Sequence, residues 1–413
     1  MTVPVPIALV GDERVECSVL SATIHHGRDD ATSQPVASTA TVELVRPLPA
    51  TARIGARIEV LAELGGTTWS RFVGEVTDLG VGWDSVDIPR PRIIAVGDLA
   101  RLGRRLVGDT PWPEELDGTR VARVLELGGF PTDPLLSDPG TVEVLARDVD
   151  RQPALALAHG TAQDGAGIVW QDREGRVRYA DALHRRGSLA ALELRACDVG
   201  LGLGWEVTLE GLANEAVVRY GPVPEGGQQP AVSAVDQASI DERGSYGVSL
   251  TTAIATATDA QKRADVIVGR QAVPSWVLGG VELELALFDP VKTAAILALE
   301  VHDLVSITGL PEGSPVPSAF LWVEGWRETI EGGDPGPSWR LELATSDYCR
   351  TGTPPLWDDL PSSLLWDQVD PERTWNRATC LPPEPPRGRW DDAPASLRWD
   401  TVDPATSWDS WTF

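Results

Sequence analysis

Short runs of alternating apolar and polar residues, separated by turn residues, restrict what residues 1–100 of this chain can fold into. Alternation with a period of two places one face of each run in a core, and the short spacing leaves no room for the helices of βαβ units. This pattern predicts an antiparallel β-barrel or sandwich. The runs are VPIALV (5–10), RVECSVL (14–20), ATVELV (40–45), ARIEVLAEL (56–64), RFVGEV (71–76) and RIIAV (92–96).

The middle region, 101–205, changes to a helical period. The segment 117–129 (DGTRVARVLELGG) predicts a helix with Asp117 as its N-cap and two glycines at its end. A second helix is predicted over 153–163, where a proline opens the first turn. Residues 168–180 predict a hairpin. We therefore expect a small α+β insertion in this region.

Strand patterns return in 206–345, so the predicted order is barrel, insertion, barrel. One helix is predicted among these strands, over 258–273, because Pro274 ends its pattern. The segment GLGLG (200–204) precedes a strand, so we expect it to permit a bend or a close backbone approach and not to bind a phosphate. The predicted strands are WEVTLE (205–210), NEAVVRYG (214–221), VELELAL (281–287), LVSITGL (304–310), FLWVEGWRETI (320–330) and SWRLELA (338–344).

Residues 346–413 differ from the rest of the chain, with seven of the sixteen Trp, many Pro, and twelve Asp and Glu against six Arg. Such a composition does not build a core. Two related segments lie 33 residues apart, LWDDLPSSLLWDQVDPERTW (356–375) and RWDDAPASLRWDTVDPATSW (389–408), and in each the Trp residues are nine positions apart. The region is predicted to be an extended tail that carries two repeats.

A spacing of nine residues reverses the face of both a helix and a strand, so neither would collect the tail's Trp rings on one side. Asp370 and Asp403 are instead placed to cap single helical turns begun by the prolines that follow them. The proline-rich segment 376–389 between the repeats predicts a stiff tether. Because Trp is a typical interface anchor, we predict that the tail docks onto partner chains. The predicted docking residues are Trp357, Trp366, Trp375, Trp390, Trp399, Trp408 and Trp411.

The net charge of −26 argues against sequence-specific nucleic-acid binding, because an acidic surface repels phosphates. An acidic wall would, however, suit a channel through which DNA passes without sticking. The four cysteines are too dispersed for a zinc pattern, so no metal is expected. The stretch MTVPVPIALVGDERVE (1–16) lacks a basic segment and a long apolar run, which favours cytoplasmic synthesis without a signal peptide or a membrane span.

The sequence contains no recognisable catalytic motif. His25 and His26 are adjacent and would point to opposite faces of a strand, whereas His159, His184 and His302 are isolated. No metalloprotease, serine-hydrolase or nucleotide-loop signature occurs. We therefore expect no enzyme and assign no catalytic, cofactor-binding or metal-binding residue. Carboxylates are so abundant that a pair at glycosidase spacing stays open.

The order of these elements resembles that of phage tail hub proteins, which are the baseplate hubs of contractile tails and the tail-tip hubs of long non-contractile tails. The resemblance covers about 1–345. The Trp-rich C-terminal region is similar to the endings of minor tail proteins of siphophages that infect actinobacteria, and the excess of Arg over Lys agrees with that source. The resemblance rests on IHHGRDD (24–30), ATVEL (40–44), FVGEVTDLGVGW (72–83), IIAVGDLARL (93–102), GTRVARVLELGGFP (118–131), EGRVRYAD (174–181), NEAVVRYG (214–221), SYGVSLTT (245–252) and VHDLVSITGLP (301–311).

The resemblance implies a mainly β protein with four regions: hub-type antiparallel β-barrels in 1–100 and 206–345, the α+β insertion in 101–205, and the docking tail in 346–413. It also implies a structural role in the virion tail tip, after assembly in the host cytoplasm. Three chains would form a pseudo-six-fold ring that joins a hexameric tail tube to a three-fold tip and surrounds the channel for DNA and the tape measure protein. Further implied partners are the distal tail protein and the tip, fibre or receptor-binding proteins that serve host attachment and DNA ejection.

Two other functions stay open at the level of sequence. Trp faces stack on sugars, so a carbohydrate-binding or cell-wall-cleaving tail component is one alternative. The hexameric distal tail protein is another. Trp rings buried against protein would favour assembly, and rings that line an open groove would favour sugar binding.

Overall fold

The computed structural model describes residues 3–348, apart from positions 12, 17, 18, 46, 49, 86, 87, 109, 110, 132–136, 186–189, 201, 208, 210, 275, 317 and 333–336. At positions 13–16, 84, 85 and 88 it describes the backbone alone. From position 349 onward the predicted tail lies outside the described residues, and so do all seven predicted docking Trp residues.

Strands are numbered in chain order. They are β1 Val5–Val10, β2 Glu13–Glu16, β3 Val19–Gly27, β4 Thr39–Leu44, β5 Arg57–Leu64, β6 Thr67–Ser85, β7 Ile88–Val96, β8 Leu106–Val107, β9 Glu115–Leu116, β10 Glu143–Val144, β11 Gln152–Pro153, β12 Ile168–Gln171, β13 Val177–Ala180, β14 Ala190–Arg195, β15 Gly204–Val207, β16 Glu215–Arg219, β17 Ala231–Val235, β18 Gly247–Thr251, β19 Trp276–Gly279, β20 Val281–Glu284, β21 Leu304–Thr308, β22 Ala319–Glu331 and β23 Ser338–Asp347. The helices are α1 Asp98–Gly103, α2 Asp117–Leu127, α3 Ala154–Asp164, α4 Gln237–Arg243, α5 Ala257–Gln271 and α6 Pro290–Ala298.

One large curled sheet, shaped as a half-barrel, organises the molecule. Ten of its strands follow the order β14-β21-β22-β3-β4-β7-β6-β5-β1-β2, while β23 pairs with β22 and β20 pairs with β23. The pairing is antiparallel except between β14 and β21. Burial alternates along β5, as the sequence pattern predicts. The mainly β, mostly antiparallel character is therefore confirmed, and the division into two barrel domains stays a prediction.

Strand β22 joins the first and last strand-rich regions of the chain. Its first half pairs with β21, where Leu304 lies opposite Trp322, and its second half pairs with β3, where Gly325 lies opposite Gly27. The change occurs at a β-bulge in which Glu324 is the extra residue against β23. Bulges bend a strand and redirect a side chain, so this one both divides the sheet and aims Glu324 inward.

A second apolar core is built from α1, α2, α3 and one face of the β12–β13 hairpin, whose other face packs in the core of the large sheet. The division of the chain into an insertion at 101–205 stays a prediction. Both predicted helices and the predicted hairpin are confirmed. Asp117, however, is the first helical residue and does not cap α2. Its buried carboxylate instead accepts hydrogen bonds from the Thr141 and Val142 amides and from the Tyr179 hydroxyl, because these donors surround it in the folded insertion.

A third core lies within 213–272, where β17, β16 and β18 form a separate sheet covered by α5. The expectation of a single helix within 206–345 is wrong, because α4 and α6 are also present. Local residues explain where helix α6 begins. The Asp289 side chain accepts hydrogen bonds from the backbone N–H groups of Val291 and Lys292, and Pro290 occupies the first turn. The expected close backbone approach at GLGLG is confirmed, because a Cβ on Gly280 would overlap the carbonyl oxygen of Gly202.

Candidate functional site

A buried charge cluster lies where the large sheet divides. The Glu324 carboxylate accepts Arg28 Nε at 2.8 Å and Arg185 Nη1 and Nη2 at 2.7 and 2.8 Å. The Ser346 hydroxyl also donates to it. One carboxylate thus connects the end of β3, the segment after the β12–β13 hairpin, and β23.

This cluster carries a surplus positive charge. Burial opposes ionisation of Glu324, yet Arg185 and Arg28 together lower its pKa to about 2, so it is a carboxylate at neutral pH. Burial also lowers the pKa of Arg28, and the same carboxylate counteracts that effect. Two guanidinium groups therefore share one negative charge.

A second buried ion pair joins β6 to β22, the strand that also carries Glu324. Arg71 Nε is 2.7 Å from Glu328 Oε1, and the indole of Trp339 donates to the same oxygen at 3.2 Å. His26 Nε2 is 2.7 Å from the carbonyl oxygen of Arg71, and burial lowers the pKa of His26 to about 3. The prediction that His25 and His26 face opposite sides is confirmed, because His26 is fully buried and His25 is not.

His302 is the member of this region that sequence reasoning missed. Arg185 Nε donates to its Nδ1 at 3.0 Å, so the ring proton must be on Nε2, which is buried and has no hydrogen-bond partner among the described residues. Burial, and then the charge of Arg185, lower its pKa well below the ordinary value. The backbone is left-handed there, with φ of 78°, which is uncommon outside glycine. The ring centroids of Trp170 and His184 lie 4.8 and 5.1 Å from that of His302, although no spacing in the sequence predicts that these three residues converge.

A cleft of about 290 Å³ opens beside the charge cluster, between the β12–β13 side of the insertion and helix α5. Among the described residues that line it, Asp181 is the one acidic side chain, while Arg28, Arg185, Arg263 and Arg270 are basic, and His302 lies at its inner end. Arg263 Nη2 donates to the carbonyl oxygen of Gln163 at 3.4 Å. The cleft is therefore a basic site on a strongly acidic chain.

One wall of the same cleft is apolar. Val248 and Leu250 of β18 and Val266 of α5 are half-buried there, and Ile267 is buried beneath them. Arginine clusters bind carboxylates and phosphates, and an apolar wall accepts aliphatic or aromatic groups. The combination suits a ligand that carries both kinds of group close together. We refer to it below as the arginine cleft.

A second candidate surface is the outer part of the β6–β7 hairpin. Pairing of β7 with β4 ends at Arg92 opposite Glu43, whereas β6 and β7 stay paired out to Ser85 opposite Ile88. Trp83 on this arm is 68% exposed. Prolines 89 and 91 remove backbone donors from β7, so the arm is suited to contact through its side chains and poorly suited to adding another strand.

No group of three or more His, Cys, Asp or Glu side chains among the described residues is arranged to hold a metal ion. No helix in the described part of the chain is long and apolar enough to cross a membrane.

No protein-family model and no curated protein matches the chain, but solved structures do. The 43 kDa tail protein of prophage MuSo2 from Shewanella oneidensis aligns with a TM-score of 0.57 at 13% identity, over 83% of this chain and 100% of that one. A tail protein from Neisseria meningitidis MC58 aligns with a TM-score of 0.59 at 11% identity, over 84% and 98%. Prophage tail protein gp18 from Listeria monocytogenes EGD-e aligns with a TM-score of 0.51 at 10% identity, over 82% and 94%. The chain therefore has the fold of these phage tail proteins.

Proposed function

We propose that the protein is a structural component of a phage tail tip, in which three copies form a ring between the hexameric tail tube and a three-fold tip. The observation that carries this proposal is the fold, which matches three phage tail proteins over almost their whole lengths. A mainly β chain with a curled sheet presents strand faces that can line a ring. The distal tail protein would bind one side of the ring, and tip or fibre proteins would bind the other.

The charge of the chain supports a role around a DNA channel. A net charge of −26 makes the surface repel DNA phosphates, so DNA and the tape measure protein could pass without being retained. The ion pairs Arg28–Glu324 and Arg71–Glu328 are buried, so most of the excess of Asp and Glu over Arg and Lys lies at the surface. Such a wall serves passage and not recognition.

Two features support assembly through side chains. The β6–β7 arm extends beyond β4 and exposes Val81 and Trp83, which are 45% and 68% accessible. The tail carries seven further Trp residues, and we propose that they occupy pockets on adjacent tail-tip chains. The assembled tip would then serve host attachment and DNA ejection. We also propose that the phage is a siphophage that infects actinobacteria. This part of the proposal rests on the resemblance of the tail to minor tail proteins of such phages.

Electron cryo-microscopy of tails that contain the protein tests the copy number directly. Three copies around an axial channel are expected; six copies would identify the distal tail protein instead, and a monomer away from the axis would refute the ring. A chain truncated after Asp347 tests the tail. It should still fold, although it loses the stacking of Tyr348 on Trp322, but it should assemble poorly with neighbouring tip proteins. Infectious tails built from it would contradict the docking role.

A further inference from the structure

The arginine cleft holds more basic groups than its acidic groups neutralise. Arg28 and Arg185 share the single carboxylate of Glu324. The carboxyl of Asp164 attracts Arg263 and opposes the lowering of its pKa by burial, but Arg263 forms no ion pair with a residue that the structure describes, and its hydrogen bond among those residues is the 3.4 Å one to the Gln163 carbonyl oxygen. A cleft with more guanidinium groups than carboxylates, on a chain of net charge −26, is a place where a further anionic group is stabilised.

Two buried donors in this cleft also lack partners. His302 Nε2 and Arg263 Nε are both inaccessible to solvent and have no hydrogen-bond acceptor among the described residues. Both side chains line the same cavity. Buried N–H groups are almost always paired in native proteins, because an unpaired one loses its hydration without compensation. An acceptor that enters the cleft would remove this cost, and carboxylate oxygens are strong acceptors for guanidinium and imidazole donors.

The tail of this protein has the matching chemistry. Each repeat contains a Trp followed by two Asp, at 357–359 and again at 390–392. The indole would pack on the apolar wall of Val248, Leu250 and Val266, and the neighbouring carboxylates would meet the arginines. We propose that the arginine cleft of one copy binds the Trp-Asp-Asp motif from the tail of a neighbouring copy. The neighbour as source rests on the ring proposed above.

The position and number of the motifs agree with this inference. The described chain ends at Tyr348, which stacks on Trp322 with a centroid distance of 5.4 Å, and Arg185 of the charge cluster lies 5.2 Å from the same Trp322 ring. Nine extended residues from there to Trp357 span about 30 Å, enough to reach across a subunit boundary. Each chain has one arginine cleft and two motifs, so a ring of copies can fill every cleft and keep motifs for other tip proteins.

Peptide binding tests the chemistry of the cleft. The probe is a fluorescein-labelled peptide of residues 356–375, and the protein is the full chain with Asp358, Asp359, Asp391 and Asp392 changed to Asn so that its own motifs do not compete. We expect Arg263→Gln to weaken binding about tenfold or more, because a charged hydrogen-bond partner is lost. Arg53→Gln removes the same charge from an exposed loop outside the cleft and should stay within about twofold.

Further arms keep the test decisive. A peptide with both Asp changed to Asn should bind about tenfold more weakly, and binding should weaken as NaCl rises. If Arg263→Gln lowers the melting temperature, Val266→Asp replaces it, since a new carboxylate on the apolar wall should repel the peptide. Equal binding by the Arg263 and Arg53 variants, or no binding at all, would overturn the inference.

Cross-linking identifies the source of the motif. A photoreactive p-benzoylphenylalanine replaces Trp357 in an affinity-tagged full chain, which is mixed with an untagged full chain of different mass. A cross-link between tagged and untagged chains, mapped to β18 or α5, is expected. A cross-link within one chain alone would overturn the assignment to a neighbour. Native mass spectrometry separates this inference from the proposed ring. A trimer whose cleft does not bind the peptide would refute this inference alone, whereas a monomer would refute the ring.

Discussion

Gly27 and Gly325 lie opposite each other where β3 pairs with β22, and a Cβ atom on Gly27 would lie 2.7 Å from the Cα atom of Gly325. The two backbones approach so closely that no side chain fits between them. This contact is where β22 changes its partner from β21 to β3, and the bulge beside it places Glu324 against Arg28 and Arg185. The change of partner along β22 and the position of Glu324 beside the arginine cleft therefore both depend on the close contact between Gly27 and Gly325.

Replacing Gly27 by Ala should lower the free energy of unfolding by about 2 kcal/mol or more, because the backbone is left-handed at φ of 76° and the new Cβ would overlap the Glu324 carbonyl oxygen. Urea unfolding followed by circular dichroism measures this. Gly160→Ala is the control: it lies in α3 with nothing within 4 Å of a new Cβ, and it should be neutral or stabilise by up to about 1 kcal/mol. Equal effects of the two variants would show that the close approach is not the cause.

Replacing Glu324 by Gln should destabilise the protein by about 3–5 kcal/mol, because two buried arginines would lose their shared negative charge. Glu282→Gln is the matched control. Its pair with Arg340 is at the surface, with both side chains at least 36% exposed, and should contribute less than about 1 kcal/mol. Chemical denaturation of both variants at pH 7 gives the comparison, and a loss at Glu324 no larger than at Glu282 would contradict the role of the cluster.

The raised pKa of Glu300 predicts that the protein loses stability as the pH rises. Burial, and then the charge of Asp172, raise its pKa in the folded protein from 4.5 to about 7. A raised carboxyl pKa means that the folded state binds the proton more tightly, so this contribution is complete below pH 4.5 and is lost as the pH rises through 7. Glu300→Gln should therefore be more stable than the parent at pH 8, by about 1–2 kcal/mol, and closer to it at pH 5. The exposed Glu312→Gln serves as control, and a pH-independent difference at Glu300 would refute the assignment.

Trp83→Ser separates assembly from folding. Since Trp83 is 68% exposed, its loss should change the free energy of unfolding by no more than about 0.5 kcal/mol. If the β6–β7 arm packs on a neighbouring copy, the dissociation constant of the oligomer should rise about tenfold or more, as analytical ultracentrifugation would measure. Val36→Ser, at a residue 56% exposed elsewhere, should leave the oligomer unchanged. An equal effect of both substitutions would remove the arm from the interface.

Local patterns predicted most of the elements but not how they meet. The helices at 117–127 and 154–164 and the hairpin at 168–180 follow from apolar spacing and turn residues, and each is present. The sequence does not predict helix α6, although Asp289-Pro290 is a recognisable start, because its short apolar run is equally compatible with a strand. The sequence predicts Asp117 as a cap, and this is wrong because its actual partners, Thr141, Val142 and Tyr179, are distant in sequence.

The candidate site shows the same division. Four arginines and a histidine from four separate parts of the chain line one cleft, and only Arg263 and Arg270, which both lie on α5, are related by their spacing in the sequence. Glu324 gave no signal either, since its burial and low pKa arise only from the bulge and from Arg28 and Arg185. The Trp-Asp-Asp motifs, in contrast, were visible in the sequence alone, because a repeat within one segment needs no folding to be recognised.

The sequence by itself determined the alternating strands, the helical insertion, the acidic charge and the repeated Trp motifs, because these are properties of neighbouring residues. Only the tertiary structure decided that β22 pairs with β3, that Gly27 and Gly325 meet there, and that one carboxylate holds Arg28 and Arg185. The physical reason is that burial, close backbone approach and shared charge depend on distances between residues nearly 300 positions apart, as with the Arg28–Glu324 pair, which are separated by 296.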